Sequence, residues 1–280
     1  MPLKPALRLR TDMPVELWRH KPDDEDAPSK LTIEVLFEDE RVLALHKPAG
    51  LVIHPTSRHL YRTVTAWLKL RYGTNWPRPC HRLDGDTSGV LICAKSKAFE
   101  RHMKIAFSKS QVKKSYIAII HGELVGTRTV NTPLALQGKR GLVRIKMVPD
   151  PEGQHSLTNF EGLRYDPALN LSLVACFPKT GRQHQIRAHL SSIGHPIVGD
   201  KLYGFGDAFF DSLSKNPSVQ LNANGTKMRH ALHANRIAFD FEGKHHDIVC
   251  RPPNDFFKVT QLAKDGSFFC TDVAQTLGSS

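Results

Sequence analysis

The sequence predicts an α+β domain with a largely antiparallel mixed sheet and flanking helices. Three observations carry that reading. Segments of strand and helix character mix without a regular βαβ rhythm. Alternating apolar stretches near residue 31 and near residue 231 read as hairpins, one opening and one closing the unit. Past residue 30 there is neither an internal repeat nor a sharp change of composition, so one folded unit is expected.

Regular structure is expected to begin at Leu31. Ile33, Val35 and Phe37 alternate, then Val42 and Ala44, with Asp39-Glu40 between them, which reads as a hairpin. Lys47-Pro48-Ala49-Gly50 breaks it. Thr63 caps a short helix through Val64, Trp67, Leu68 and Tyr72, and Gly73 closes it. Val90 to Ala94 is a short apolar strand. Ser96 caps a helix that carries Phe99, Met103, Ala106 and Phe107 on one side. Tyr116 to Ile120 reads as another strand. Residues 126–170 are polar and rich in Gly and Pro, and assign no element. Leu171 to Phe177 is a strand, and a helix runs from about Gln183 to Ile193 until Gly194-His195-Pro196 stops it. After a loop holding Gly204 and Gly206, Ala231 to Phe241 and His245 to Cys250 form the last hairpin, turning at Gly243-Lys244. Residues 1–30, with the acidic run Asp23-Asp24-Glu25-Asp26, read as a solvated extension, 31–255 as the folded domain and 256–280 as a tail.

Charge narrows the function. The net charge of +12 and pI of about 9.6 favour a polyanionic partner, nucleic acid first and an anionic membrane surface second. Five cysteines, an odd number without a CxxC pair, indicate neither a disulfide framework nor a zinc knuckle. A reducing cytoplasm fits that usage. No apolar run approaches the roughly 20 residues that span a bilayer, and the first residues lack the apolar core of a secretory signal. Fifteen histidines raise a metal hydrolase as a rival, but His184 with His189 and His245 with His246 do not fit the HExxH pattern. No metal ligands are therefore expected.

Four segments hold the polar chemistry. His81-Arg82-Leu83-Asp84-Gly85-Asp86-Thr87-Ser88-Gly89 lies directly before an apolar strand. It can present a carboxylate at a strand end beside an arginine, or it can be a turn whose Asp and Thr satisfy their own backbone. In Lys179 to Leu190, Arg187 borders the apolar face set by Ile186 and Leu190. It can reach inward to a buried acid, and a bidentate pair would hold that acid ionised. Arg182 and His184, near the helix start, are expected to face outward to phosphate. Lys113-Lys114 precede Tyr116 at the head of a buried strand, and His46 to Pro55 is a structured loop without a nucleophile.

Together these segments resemble the RluA-type pseudouridine synthases. His81-Arg82-Leu83-Asp84 followed by Thr87-Ser88-Gly89 is similar to the family signature, and Lys47-Pro48-Ala49-Gly50 to its early KPxG motif. Tyr116 falls where the family carries its active-site tyrosine. Gly181-Arg182-Gln183-His184-Gln185-Ile186-Arg187, Gly194-His195-Pro196-Ile197, Gly199-Asp200 and Arg229-His230-Ala231-Leu232-His233-Ala234 resemble the later motifs. The resemblance covers about residues 31–255. Gly85 departs from it where many relatives carry a larger residue, 126–170 match loosely, and no S4-type RNA-binding domain is expected ahead of the catalytic part.

The resemblance implies the pseudouridine synthase fold and the isomerisation of uridine to pseudouridine in structured RNA, transfer RNA or large-subunit ribosomal RNA, without a cofactor. It makes Asp84 the nucleophile, Arg187 its charge partner, Tyr116 the residue that stacks on the base and helps remove a proton from the sugar, and Asp86 a support of the loop. Arg82 would fill the gap left by a flipped base, and His81, Arg182, Lys113 and Lys114 would contact RNA. A monomer is expected, because nothing suggests a dedicated interface. The alternative is a non-catalytic RNA-binding or RNA-folding protein, for which Asp84 would be unnecessary.

Overall fold

The computed structural model describes residues 11–12, 14, 27–56, 60–138, 141–215 and 229–258. The acidic run at 23–26, most of the expected extension and nearly all of the expected tail lie outside the described residues. Strands β1 (Glu34–Glu38) and β2 (Val42–Lys47) form the first hairpin. Helix α1 (Val64–Tyr72) follows, capped by Thr63, whose hydroxyl accepts the Ala66 N–H at 3.1 Å. The short β3 (Arg78–Pro79) and the fully buried β4 (Ser88–Ala94) lead to α2 (Lys97–Ser108), capped by Ser96 on the Phe99 N–H at 3.2 Å. Then come β5 (Lys113–His121), β6 (Thr127–Asn131), β7 (Leu134–Leu136), β8 (Met147–Pro149), β9 (Leu157–Asp166) and β10 (Leu171–Pro178). Helices α3 (Gln185–Ser192) and α4 (Asp207–Lys215), the hairpin β11 (Leu232–Phe241) and β12 (Lys244–Val249), and the short α5 (Asn254–Lys258) complete the described chain.

Among the described residues the main sheet runs β1-β2-β4-β11-β5-β10-β9-β6, with β12 on β11 and β3 on β4. Only the β4–β11 pairing in it is parallel. The two-residue period of a strand decides which helix covers which face. Leu43, Leu45 and Leu91 pack with Val64, Trp67 and Leu68 of α1. Their neighbours Val42, Ala44, Val90 and Ile92 pack on the other face with Phe99, Met103 and Ala106 of α2. Helix α3 lays Ile186 and Leu190 against the β5–β10 part of the sheet. Gly89 lets β4 and β11 meet, since a β-carbon there would collide with the Ala234 carbonyl. That close approach brings the loop before β4 beside Arg229 and His230.

Four features differ from the sequence expectation. Residues 126–170 contain four strands. β6 is an edge strand with one buried residue, and β7 and β8 have three residues each, too few for a periodic signal. Helix α4 also went unread; it is tied to the β7–β8 hairpin by Lys146 and Asp207 at 2.6 Å. The last hairpin turns at Glu242-Gly243, both with positive φ as a two-residue turn demands, one residue earlier than expected. The core also runs past residue 255, for Phe256 is fully buried in the cluster under β5 and β10.

Candidate active site

The loop before β4 is held on its strand side and from beneath. Cys80 N–H donates to the Ile92 carbonyl at 2.8 Å, and His81 Nε2 accepts the Ile92 N–H at 3.0 Å. His81, read as an RNA contact, thus spends that nitrogen on the scaffold while its ring tilts against Phe107. Beneath the loop lies Lys47, fully buried. Its ammonium donates to the carbonyls of Pro48 (2.9 Å), Leu51 (2.7 Å) and Gly85 (2.9 Å), three acceptors for three donors. Burial pulls its pKa down to about 7, while the charges of Asp86 and Asp84 pull the other way. Gly50 N–H also donates to the Gly85 carbonyl at 2.9 Å, and Thr87 N–H closes the turn on the Asp84 carbonyl at 3.1 Å. Asp86 pairs with Lys201 at 2.8 Å, and the Thr87 hydroxyl pairs with His230 Nε2 at 2.7 Å. The KPAG segment was read as a loop without a nucleophile. It carries the acid loop through the bonds of Lys47 to the Pro48, Leu51 and Gly85 carbonyls; the KPxG resemblance marked the segment but not what its lysine holds.

Asp84 Oδ2 accepts one hydrogen bond from Arg187 Nη1 at 2.7 Å. The bidentate partner is a different acid. Arg187 Nε and Nη2 donate to the two oxygens of Asp200 at 2.6 and 2.8 Å, and Asp200 is fully buried. Asp200 also accepts the N–H groups of Leu202 and Tyr203. Burial pushes the Asp84 carboxyl up, but Arg187, then His184 and His230, bring it below the ordinary carboxylate range. Asp84 is therefore an ionised carboxylate at neutral pH.

Two adjoining hollows of about 290 and 800 Å³ meet at Asp84, and Arg82, His184 and Arg187 line both. Tyr116 and Lys114 line the smaller one. Burial and the Asp84 charge raise the Tyr116 phenol above its ordinary range, so it stays protonated at neutral pH. Arg82 is exposed at the mouth. Lys114 Nζ donates to the Thr180 carbonyl at 3.0 Å, and burial lowers its pKa to about 8. Arg182 is exposed at the rim, with its Nε on the His155 carbonyl. Lys113 is exposed and lines neither hollow. His184 departs from the expectation that it faces outward: it turns inward, with Nε2 3.9 Å from Asp84 Oδ1.

Residues 41–192, more than half of the chain, match the RNA pseudouridylate synthase family. The chain belongs to that family. Ribosomal large subunit pseudouridine synthase D of Zymomonas mobilis is 32% identical over 249 residues, covering 84% of this chain and 75% of the relative. The tRNA pseudouridine synthase C of Pasteurella multocida is 34% identical over 221 residues, 75% of this chain and 86% of the relative. The structure of human RNA Pseudouridylate Synthase Domain Containing 1 superposes with a TM-score of 0.65 over 93% of this chain and 98% of that one, at 22% identity, which shows the shared fold.

This RNA pseudouridine synthase is thus an isomerase of the RluA type, as the motifs implied. It converts uridine in RNA to pseudouridine, breaking the glycosidic bond at N1 and forming a carbon–carbon bond at C5, with no net redox change. Among the described residues no helix is long and apolar enough to cross a membrane. The cysteines Cys80, Cys93, Cys176 and Cys250 are unbridged.

Proposed function

We propose that this synthase acts on a uridine in a stem-loop of transfer RNA or large-subunit ribosomal RNA, with Asp84 as its nucleophile. The observation that carries the assignment is the Asp84–Arg187–Asp200 array. It presents one ionised carboxylate to a hollow walled by an aromatic ring, with a guanidinium at the mouth. A carboxylate can add to the ribose or stabilise positive character at the anomeric carbon. The target must leave its stack to reach it, at a cost of a few kcal/mol that is least in a loop. Arg82, exposed at the mouth, is suited to fill the vacated space, since a planar guanidinium both stacks and hydrogen-bonds. Tyr116 stacks on the extruded uracil. Arg182, Lys113 and Lys114 are cations for the phosphates, and RNA binding weakens steeply with salt. His81 serves chiefly to fix the loop that carries Arg82 and Asp84.

The relatives' names support both RNA classes. The protein works as a monomer in the cytoplasm. A site-resolved map of pseudouridine in cells lacking the gene, then supplied with wild type or Asp84→Asn, tests the reading. A site lost on deletion and regained only with wild type names the substrate. Restoration by Asp84→Asn would remove Asp84 as nucleophile.

A further inference from the structure

His184 stands at the start of α3 with φ 53° and ψ 15°, in the left-handed region that favours glycine or asparagine. The other described non-glycine residues with positive φ, Asp12, Ser110, Asn170 and Glu242, lie outside both hollows. Strain kept at a cavity wall points to a use for the side chain it aims.

The neighbours of the imidazole favour one tautomer. Tyr203 Oη accepts the Met147 N–H at 2.9 Å, which leaves the phenolic proton for His184 Nδ1 at 3.2 Å. Nε2 then carries the ring proton. It faces Asp84 Oδ1 at 3.9 Å, too far for a direct hydrogen bond. Asp84 Oδ2 is taken by Arg187, while among the described residues nothing donates to Oδ1. Burial also keeps the His184 pKa below its ordinary value, against the pull of Asp84, so the ring is neutral near pH 7.

A donor and an acceptor thus confront each other across a gap that one atom, both donor and acceptor, can bridge at ordinary distance from each. Within an RNA chain the 3′ and 5′ oxygens are esterified, and uracil offers carbonyls that only accept and an N–H that only donates. The ribose 2′-hydroxyl alone does both through one oxygen. We propose that His184 Nε2 and Asp84 Oδ1 together grip the 2′-hydroxyl of the target uridine, making His184 the residue that selects ribose over deoxyribose. The proposal rests on the reading that Asp84 faces the ribose of the flipped nucleotide. It adds that Tyr203 is a positioning residue that holds the donor tautomer.

The test uses the whole chain and a stem-loop RNA with uridine or 2′-deoxyuridine at the modified position. Equilibrium affinity is measured for wild type, His184→Phe, His184→Gln and Tyr203→Phe, with single-turnover rates on the uridine form. Wild type is expected to bind the uridine form roughly 10- to 100-fold more tightly. His184→Phe should erase that ratio, His184→Gln should keep most of it because its amide N–H reaches about as far, and Tyr203→Phe should reduce it. If His184→Phe does not fold, as thermal melting will show, Tyr203→Phe decides alone. A wild type without the preference, or a ratio unchanged in His184→Phe or in Tyr203→Phe, overturns the proposal. A wild type that isomerises no stem-loop would bring down the stem-loop reading and this proposal with it. Isomerisation with an unchanged ratio sinks this proposal alone.

Discussion

Asp200 binds Arg187 through two hydrogen bonds, at 2.6 and 2.8 Å, and the one guanidinium nitrogen it does not engage, Nη1, is directed at Asp84. The fork is therefore spent on a buried structural acid, and the proposed nucleophile receives what remains. This division keeps Asp84 ionised without covering both of its oxygens.

Asp200→Asn tests the division. A neutral amide cannot balance the buried guanidinium, and breaking such a pair costs about 3–5 kcal/mol. Turnover should fall about 100-fold as Arg187 shifts, the size of effect that small misplacements produce, while RNA affinity changes little. Urea unfolding and single-turnover kinetics measure the two. Unchanged turnover would mean that Asp84 and the Tyr203 ring, which lies 5.1 Å from the Arg187 guanidinium, suffice to place Arg187.

Lys47→Met removes the three donors beneath the acid loop. The Gly85 carbonyl keeps the Gly50 N–H, but the carbonyls of Pro48 and Leu51 lose the lysine they face. Orphaned buried groups cost about 1–3 kcal/mol each, so a loss of about 3 kcal/mol is expected. Turnover should also drop at temperatures where the variant remains fully folded. A stability change under about 0.5 kcal/mol would show that packing alone carries the loop.

Tyr116→Phe separates the ring from the hydroxyl. With its phenol held protonated by burial and by Asp84, Tyr116 could enter a proton transfer only as a donor, not as the base that removes a sugar proton. The variant should keep RNA affinity within about two-fold and lose about 100-fold in turnover, the usual scale of general acid–base help. Tyr116→Ala should lose affinity as well. Full activity of the Phe variant would restrict Tyr116 to stacking.

Stability should fall on acidification. Burial lowers the pKa of His230 to about 4 and of His233 to about 3, against about 6.5 unfolded. Between those values the unfolded chain binds protons that the folded chain refuses, so stability rises with pH. The urea midpoint should therefore decline from about pH 6.5 toward pH 4. His230→Gln should flatten the decline, and a midpoint constant over that range would contradict the buried neutral histidines.

Much of the sheet was legible because its signals are local. Thr63 and Ser96 cap their helices where they were read, and the two-residue period of Val42 to Leu45 divides the chain between α1 and α2. Strands β6 to β8 were not, since short or edge strands bury too little to impose a period, and β9 was not, since its burial alternates only over its first residues. In the site, motif order drew Asp84, Tyr116 and Arg187 together, and the structure places all three at one hollow. Sequence pattern could not reveal that Asp200 is the bidentate partner, that Lys47 serves carbonyls at positions 48, 51 and 85, or that His184 turns inward. By itself the sequence determined the caps, the strand faces and the family, all written in residues near one another or in fixed motifs. The tertiary structure alone decided which buried charge meets which, because a hydrogen bond between distant residues leaves no period in the chain.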